Sequence, residues 1–219
     1  MATAPAPSQA RDPRAGVTAR PLVILGVGEH ARVVAEAAGA DPSAWRVVEL
    51  VDKTDDAALR ARLDAAGPGD GPWLVVGFGA PPEARHRVVE AMGPDARWAV
   101  VIHPAAWVSP SARLEPGAVV LAGSVVNAGA VVGSHAIVNS GVTVEHDVRV
   151  GAFSHLAPGA VVGGGTAIGD DTTIGLGAVV RDHIGIGSRA TVAMGAVVVA
   201  DVPDDATVLG VPARPTSAS

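Results

Sequence analysis

Apolar residues recur at every sixth position of the chain from Val108 to Val198, without a break. A helix repeats its apolar face every 3.6 residues and a strand every two, so neither element explains a period of six. The series is Val108, Leu114, Val120, Val126, Val132, Val138, Val144, Val150, Leu156, Val162, Ile168, Ile174, Val180, Ile186, Val192 and Val198. A chain that turns a corner every six residues needs this pattern, which therefore predicts a parallel β-helix of hexapeptide repeats.

A second position of the repeat, four residues after each apolar one, carries a small or β-branched residue, as in Ala112 and Val142. Three faces converge inside such a solenoid, so we expect limited space there. Ile184 is the oversize residue at this position, and it predicts a local distortion or a loop. Glycine often follows the apolar position, as in Gly133, and we expect these sites to need unusual φ values. The pattern breaks at 201–205, which should close the open edge.

The segment before the solenoid alternates short apolar runs with amphipathic stretches. The predicted strands are Leu22–Leu25, Val47–Val51, Trp73–Val76 and Arg97–Ile102, and the predicted helices are Ala31–Ala38, Asp56–Ala66 and Glu83–Met92. This order is typical of a small parallel sheet with helices on its faces. Ligands of such sheets bind beyond the C-terminal ends of the strands, so the candidate edge comprises Gly26–His30, Asp52-Lys53 and Gly77–Gly79.

Two domains are therefore predicted. An α/β N-terminal domain with a small Rossmann-like parallel sheet occupies 21–104, and the β-helix of hexapeptide repeats occupies 105–214. Residues 1–20 are rich in Ala, Pro and Arg and have no hydrophobic period, so we expect a disordered tail there and a second short tail at 215–219.

Composition excludes several function classes. The chain has 219 residues and a formal net charge of −6, which gives no support to nucleic-acid binding. It has no cysteine, so a cysteine nucleophile, a thiolate metal site and disulfides are excluded. There is no apolar run of about 18 residues and no signal-peptide core. We therefore expect no membrane span and a cytoplasmic location.

Three histidines lie near one another in the solenoid sequence, namely His135, His146 and His155. His146 stands between Glu145 and Asp147. A carboxylate that accepts a hydrogen bond from one ring nitrogen fixes the tautomer and raises the basicity of the other nitrogen. A histidine at an outward position of a β-helix is otherwise most often solvated, so the spacing by itself does not establish a catalytic role.

Several segments carry a resemblance to a known family. They are Ile24–Ala31 (ILGVGEHA), His103-Pro104 with Val108–Ala112 (VSPSA), Val144–Val148 (VEHDV), Gly151–His155 (GAFSH) and Gly210–Arg214 (GVPAR). As a set, these segments resemble the bacterial nucleotide-sugar acetyltransferases. That family includes the N-acetyltransferases of UDP-bacillosamine and GDP-perosamine synthesis and the related sialic acid O-acetyltransferases.

The resemblance implies a left-handed β-helix and a homotrimer, with acetyl-CoA bound as co-substrate in the groove between adjacent β-helices. It implies no tightly bound cofactor and no metal. His146 matches the catalytic base of the family, and Asp147 matches the acidic residue that supports this base. The positions that match acetyl-CoA contacts of the family are His155, Gly164, Leu176 and Met194.

The N-terminal domain of such enzymes holds the nucleotide sugar. The positions that match its contacts are Gly28, Glu29, His30, Asp52, Lys53 and Gly77. This chain departs from the family at Gly77-Phe78-Gly79-Ala80, where glycine followed by two asparagines is usual, and at Glu29, where a small residue is usual. The glycine turn Gly26-Val27-Gly28 before a helix suits a phosphate-facing helix N-terminus better than a redox cofactor.

The resemblance thus predicts an acetyltransferase that acts directly, without an acyl-enzyme, on the amino group of a nucleotide-linked 4-amino sugar. O-transfer to a sialic acid or another sugar hydroxyl stays open, as does N-transfer to a secondary-metabolite amine. Two other classes are a γ-carbonic-anhydrase-like zinc lyase, with His135, His146 and His155 as ligands, and a non-catalytic binding protein. His86, on a charged helix face, is expected to be solvated.

Overall fold

The structure, a computed structural model, describes residues 18–52, 59, 61, 63, 65, 71–79 and 81–216. The elements of the N-terminal domain are β1 (Arg20–Leu25), α1 (Glu29–Gly39), β2 (Trp45–Val51), β3 (Trp73–Val76), α2 (Pro82–Met92) and β4 (Arg97–Trp98). The four strands form a parallel sheet in the order β2-β1-β3-β4. The predicted helix Asp56–Ala66 lies mainly outside the described residues, although 59, 61, 63 and 65 are helical. The predicted tails also lie outside them, up to residue 17 and from residue 217.

Helices cover both sides of this sheet. Leu22 and Ile24 of β1 pack in one cluster with α1, whereas Val23 and Leu25 pack in another with α2. All four side chains are buried, because alternate residues of a strand point to opposite faces and each face here has a helix against it. The predicted α/β domain with a small parallel sheet is confirmed.

The predicted strand Arg97–Ile102 is divided between two sheets. Its first part is β4, whereas β5 (Val101–Ile102) pairs with Val119–Val120 and forms the first rung of the solenoid, slightly before the predicted boundary at 105. Val119 and Leu121 of the next coil also join the buried cluster between β1 and α1. The two domains therefore share a core and follow each other without a linker.

The rest of the chain is a parallel β-helix with three faces, which we call the covered face, the apolar face and the polar face. The covered face comprises β5, β8 (Val119–Val120), β11 (Ile137–Val138), β14 (His155–Leu156), β17 (Thr173–Ile174), β20 (Thr191–Val192) and β22 (Thr207–Leu209). Its first coils lie under the N-terminal domain, whereas Thr191 and Thr207 of the last coils are exposed. The apolar face comprises β6 (Trp107–Val108), β9 (Val125–Val126), β12 (Thr143–Val144), β15 (Val161–Val162), β18 (Val179–Val180) and β21 (Val197–Val198). The polar face comprises β7 (Arg113–Leu114), β10 (Val131–Val132), β13 (Arg149–Val150), β16 (Ala167–Ile168) and β19 (Gly185–Ile186).

Strands on one face repeat every 18 residues, so Ile137, His155 and Thr173 are neighbours in register. The predicted hexad residues point inward, and those from Val120 to Val198 are buried in one continuous cluster. Each Val or Ile buried in this way contributes roughly 1.5–3 kcal/mol. The predicted β-helix is therefore confirmed, and its core is the series of apolar residues read from the sequence.

The distortion predicted at Ile184 is wrong. Ile184 is buried, and the strand that follows it pairs in register with Ala167–Ile168. The same inward column contains the β-branched residues Val148, Thr166 and Val202. This corner of the prism is therefore wide enough for a larger side chain in its later coils.

The reason predicted for the glycines after the apolar position is also wrong. Gly133 and Gly175 do not have positive φ values. A Cβ on Gly133 would instead lie 2.7 Å from the nitrogen of Ala152, and one on Gly175 would lie 2.5 Å from the nitrogen of Met194. These glycines are required because adjacent coils approach each other closely, and not because of backbone conformation.

The last coil ends in a hairpin. Val202 forms an isolated parallel bridge with Ile186, and β22 pairs antiparallel with β23 (Arg214–Pro215). The pattern break at 201–205 thus leads into a hairpin that occupies the end of the covered face. Among the described residues, no helix has the length and apolar composition needed to cross a membrane.

Candidate active site

His146 and Asp147 form a hydrogen-bonded pair in the turn between β12 and β13, at the corner where the apolar and polar faces meet. The His146 Nδ1–H group donates to Asp147 Oδ2 at 3.0 Å. Asp147 has a φ of 59°, in the left-handed region that aspartate tolerates better than most residues. The hydrogen bond that His146 donates to Asp147, together with the charges of Asp147 and Glu145, raises the pKa of His146.

The second ring nitrogen of His146 faces Gly164, which occupies the same corner one coil further along. A Cβ on Gly164 would lie 2.6 Å from His146 Nε2, so glycine leaves the ring its place. The N–H groups of Gly163 and Gly165 donate to Val180 and His146 carbonyls, whereas the Gly164 N–H donates to no group in the described part of the chain. His146 Nε2 therefore lies close to Gly164, a buried residue whose N–H group has no hydrogen-bond partner in the described part of the chain.

His155 lies on the covered face, beneath the N-terminal domain. The Ser140 N–H donates to Asn139 Oδ1 at 2.8 Å, which orients the amide so that Asn139 Nδ2 donates to His155 Nε2 at 3.1 Å. The neutral ring therefore carries its proton on Nδ1, which faces Gly79; a Cβ there would lie 3.0 Å away. Burial, followed by the charge of Arg85, lowers the pKa of His155 to about 4.

Arg85 of α2 is fully buried and joins the N-terminal domain to the solenoid. Its Nη1 donates to the carbonyl of His135 at 3.0 Å, and its Nη2 donates to the carbonyl of Phe153. His135 and Phe153 occupy the same turn position in successive coils, at the corner between the polar and covered faces, with φ values of 56° and 57°. Burial lowers the pKa of Arg85 to about 10, so its side chain stays charged at neutral pH.

His86, predicted to be solvated, instead joins a stack of rings at the same corner. Its Nε2–H donates to Asp171 Oδ1 at 2.7 Å, and its ring stacks on Phe153 at 3.7 Å between centroids. Phe153 stacks in turn on His135, and the edge of that ring meets Trp98. This contact between the domains could not be predicted from the sequence, because nothing in the repeat pattern links a helix to one particular corner.

The predicted acceptor residues of the first loop lie at the C-terminal edge of the parallel sheet. Gly28 precedes α1 with open space where a side chain would be, and Glu29 is exposed. The ring of His30 is half-buried, and its centroid is 6.2 Å from that of His155. Burial, followed by the charge of Arg85, lowers the pKa of His30. The loop therefore reaches the solenoid at His155.

The remaining predicted acceptor residues follow the second and third strands. Asp52 is exposed directly after β2, and Lys53 lies outside the described residues. A Cβ on Gly77 would lie 2.6 Å from Ile24 Cγ2 and 2.9 Å from Ala31 Cβ. Gly77 is therefore required by the close packing of β1 and α1, independently of any ligand.

Leu176 and Met194 lie one coil apart at the third corner, between the covered and apolar faces. They are 53% and 74% exposed, respectively. The predicted site residues of one chain thus form three separate groups. His146 and Gly164 share one corner, Leu176 and Met194 share another, and His155 lies with the loops of the N-terminal domain.

The three histidines considered as zinc ligands lie apart within one chain. His135 packs in the ring stack, His146 is at a different corner, and His155 is on the covered face. In the portion of the chain that the structure describes, no three His, Cys, Asp or Glu side chains are grouped in a way that could hold a metal ion.

Solved structures share this two-domain architecture. A mutant of perosamine N-acetyltransferase from Caulobacter crescentus, in complex with CoA and GDP-perosamine, is 34% identical with a TM-score of 0.81, over 90% of this chain and 97% of that one. The acetyltransferase domain of PglB from Neisseria gonorrhoeae FA1090, in complex with acetyl coenzyme A, is 38% identical with a TM-score of 0.80, over 90% and 100%. WeeI from Acinetobacter baumannii AYE, at 22% identity and a TM-score of 0.75, shares the fold over 89% and 99%. No protein-family model and no curated protein matches the sequence.

A Rossmann-like domain followed by a left-handed parallel β-helix, together with these likenesses, defines an acetyltransferase. The chain belongs to the family of bacterial nucleotide-sugar acetyltransferases. The resemblance read from the sequence is confirmed, as is the prediction of an acetyl-transferring enzyme.

Proposed function

We propose that the protein transfers the acetyl group of acetyl-CoA to the amino group of a nucleotide-linked 4-amino sugar. The observation that carries this proposal is the His146–Asp147 pair, whose second ring nitrogen lies beside Gly164. The similar perosamine N-acetyltransferase was solved in complex with CoA and GDP-perosamine, and the PglB domain in complex with acetyl coenzyme A. A thioester is already activated, so the enzyme has mainly to position two substrates and remove one proton.

His146 acts as the general base through Nε2. The lone pair of the neutral acceptor amine attacks the thioester carbonyl carbon, and Nε2 takes a proton from the amine nitrogen. The Gly164 N–H donates to the oxyanion of the tetrahedral intermediate. When the intermediate collapses, the C–S bond breaks, the amide forms, and CoA leaves as a thiolate that the imidazolium or solvent protonates. Asp147 holds the Nδ1–H tautomer throughout.

The apolar face supports the proposal of a homotrimer. Its outward side chains belong to Trp107, Val125, Thr143, Val161, Val179 and Val197. Trp107 is 60% exposed, and Val161 and Val179 are exposed above it. Contiguous exposed apolar surface of this kind marks an interaction site. Three copies packed through this face around one axis would bury it in a closed assembly.

Such a trimer would unite residues that are separate in one chain. His146 and Gly164 lie along one edge of the apolar face, and Leu176 and Met194 lie along the opposite edge. Packing of adjacent copies sets one edge beside the opposite edge of the neighbour, and we place acetyl-CoA in that groove. Its apolar pantetheine contacts Leu176 and Met194 of one copy, and its thioester meets His146 of the next. His155 lies on the covered face, which adjoins the Leu176 edge.

The N-terminal domain supplies the acceptor side of the proposed site. The N-terminus of α1 begins after Gly28 with no side-chain cap, so its N–H groups are available to a phosphate. Glu29, Asp52 and Lys53 are the remaining proposed contacts around this edge, with Gly77 at its third strand. Acetyl-CoA and nucleotide sugars are cytoplasmic metabolites, so we propose a cytoplasmic location.

An acetyl-CoA consumption assay with UDP-, GDP- and dTDP-linked 4-amino sugars tests this function. Matched 4-hydroxy sugars and sialic acids serve as comparison acceptors. We expect CoA release with at least one amino sugar, and an N-acetyl group in the product by mass spectrometry and NMR. Acetylation of the hydroxyl acceptors alone would show that the protein is an O-acetyltransferase and not an N-acetyltransferase. Absence of both turnover and acetyl-CoA binding would instead indicate a non-catalytic binding protein.

A further inference from the structure

Arg85 is an isolated buried charge at the junction of the two domains. In the described portions of the chain no carboxylate forms an ion pair with it, and Asp171 pairs with His86 instead. The Nε atom of Arg85 has no hydrogen-bond partner among the described residues. Burying a charge without an opposite charge is costly. A residue retained only for packing would not need a guanidinium here, so its charge and its fork of donors call for another explanation.

The fork of Arg85 grips two successive coils at once. Its two terminal nitrogens donate to the carbonyls of His135 and Phe153, which are one coil apart at the same corner. One side chain of α2 therefore fixes the height of that helix along the solenoid axis. Lysine has a single ammonium group and cannot present the same planar pair of donors.

The first turn of α2 lies directly after the third-strand loop. Within that loop, Gly79 passes so close to His155 that a Cβ on it would lie 2.9 Å from the ring carbon Cε1. His155 presents its Nδ1–H group to this gap because Asn139 occupies its other nitrogen. The height of α2 thus sets how the loop meets the one polar ring that the solenoid presents to it.

We propose that Arg85 is a positioning residue for the acceptor: by clamping α2 to two coils, it fixes the third-strand loop against His155 and so determines where the acceptor sugar is held. This inference rests on the proposed function in naming the acceptor as a sugar. The clamp acts through His155 and the loop, and it makes no contact with the acetyl-CoA edge at Leu176 and Met194.

The electrostatic surroundings agree with this role. The titratable groups that interact electrostatically with the Arg85 guanidinium are His30, His135, His155 and Asp171. Its positive charge contributes to lowering the pKa of His30, His135 and His155. Burial and, after it, the charge of Arg85 therefore favour the neutral form of His155.

Two substitutions separate the clamp from the charge. Arg85→Met removes both, whereas Arg85→Lys keeps a positive charge and loses the two-carbonyl grip. Arg87→Met is the matched control, because Arg87 lies on the same helix and is exposed. For each protein, the Michaelis constants for acceptor and for acetyl-CoA are measured separately. The pKa of His155 is followed by NMR of histidine-labelled protein, with circular dichroism and size-exclusion chromatography as controls for folding.

We expect Arg85→Met to raise KM for the acceptor roughly tenfold or more, because a displacement of about 1 Å in a positioned substrate is costly. KM for acetyl-CoA should rise by a smaller factor, because of its proposed contacts only His155 is linked to the clamp. The His155 pKa of this variant should rise. Arg85→Lys should also raise the acceptor KM while the His155 pKa stays near its original value. The Arg87→Met variant should match the unmodified protein in every measurement.

An acceptor KM within twofold of the original in both Arg85 variants would overturn the proposal. So would an equal rise in both Michaelis constants, or loss of folded protein in both variants, since either result indicates a general structural role. If the unmodified enzyme acetylates no nucleotide sugar, the proposed function fails. The NMR measurement still decides whether Arg85 controls His155, so the two failures are distinguishable.

Discussion

Gly164 leaves room for the ring of His146, because the imidazole Nε2 lies 2.6 Å from the position that a Cβ of residue 164 would occupy. The two residues are one full coil apart, and Gly165 donates to the carbonyl of His146 at 2.9 Å across that step. The repeat therefore brings the base and Gly164 together without an insertion in the solenoid.

Gly164→Ala should displace the His146 ring and lower kcat by about 10²-fold, because a misplacement of about 1 Å is enough for such a loss. The backbone of Gly164 does not have a positive φ, so the expected effect is steric. Gly185→Ala is the control, because a Cβ there meets nothing closer than 3.9 Å. Steady-state kinetics and thermal melting check both variants. Equal activity of the two variants would contradict the proposed arrangement.

Asp147→Asn should move the acid limb of the pH–rate profile to lower pH. The aspartate raises the pKa of His146, so its removal lets the ring lose its proton at lower pH. The same change weakens the base, so the plateau of kcat should fall as well. The measurement is kcat/KM for the acceptor between pH 5 and 9. Asp95→Asn, at an exposed and distant position, should leave the profile unchanged, and an unshifted Asp147→Asn profile would remove Asp147 from this role.

Mixing two inactive variants tests whether the site is shared between copies. His146→Ala alone should lower kcat by roughly 10²–10⁴-fold, as expected for loss of a general base. His155→Ala should lower activity through the other half of the site. Co-expression of the two should restore activity at about a quarter of the sites, because random three-fold assembly pairs an intact His146 with an intact neighbouring His155 at that frequency. Activity no higher than that of the single variants would mean that each chain builds its own site.

Acidification should loosen the junction between the domains. Burial lowers the pKa of His135 and of His155 from 6.5 to about 4, so the folded state binds fewer protons than the unfolded state between these values. Their contribution to stability is fully present above pH 6.5 and is lost as the pH falls towards 4. The melting temperature should therefore drop across this window.

His135→Phe provides the matched variant for that experiment. Phe153 occupies the equivalent turn position in the next coil with nearly the same φ, so phenylalanine fits this backbone and can keep the ring stack. The variant should show a flatter dependence of melting temperature on pH between 6.5 and 4. A slope as steep as that of the unmodified protein would show that His135 does not carry the effect.

The sequence predicted the solenoid almost completely because its repeat is local and periodic. The inward residues, the corners and the outward position of His146 all follow from counting in steps of six. The contacts of Arg85, His86 and Phe153 could not be predicted in this way. They depend on how α2 lies against one corner of the solenoid, and that placement comes from packing between residues that are 50 or more positions apart in the chain.

The wrong predictions at Ile184 and Gly133 have a similar cause, because both depend on contacts that the local sequence does not show. Ile184 exceeds the usual size for its slot, but the width of that slot depends on Val148, Thr166 and Val202 in other coils. Glycine at position 133 is expected from the sequence because of its backbone conformation, whereas the structure requires glycine there because Ala152 of the neighbouring coil leaves no space for a Cβ. In both cases, the constraint acts between coils and not along the local sequence.

Because β4 leads directly into β5, the first coils hold the N-terminal domain at a fixed distance from His146. The N-terminal domain shares its core with Val101, Val119 and Leu121, so it cannot swing relative to the prism. Each coil adds about 4.8 Å along the axis. One extra coil of 18 residues, inserted between Leu121 and His146, would carry the base that far from the acceptor domain and would also move Phe153 out of reach of Arg85. The number of coils between the acceptor domain and His146 thus determines whether the base can reach the acceptor during acetyl transfer.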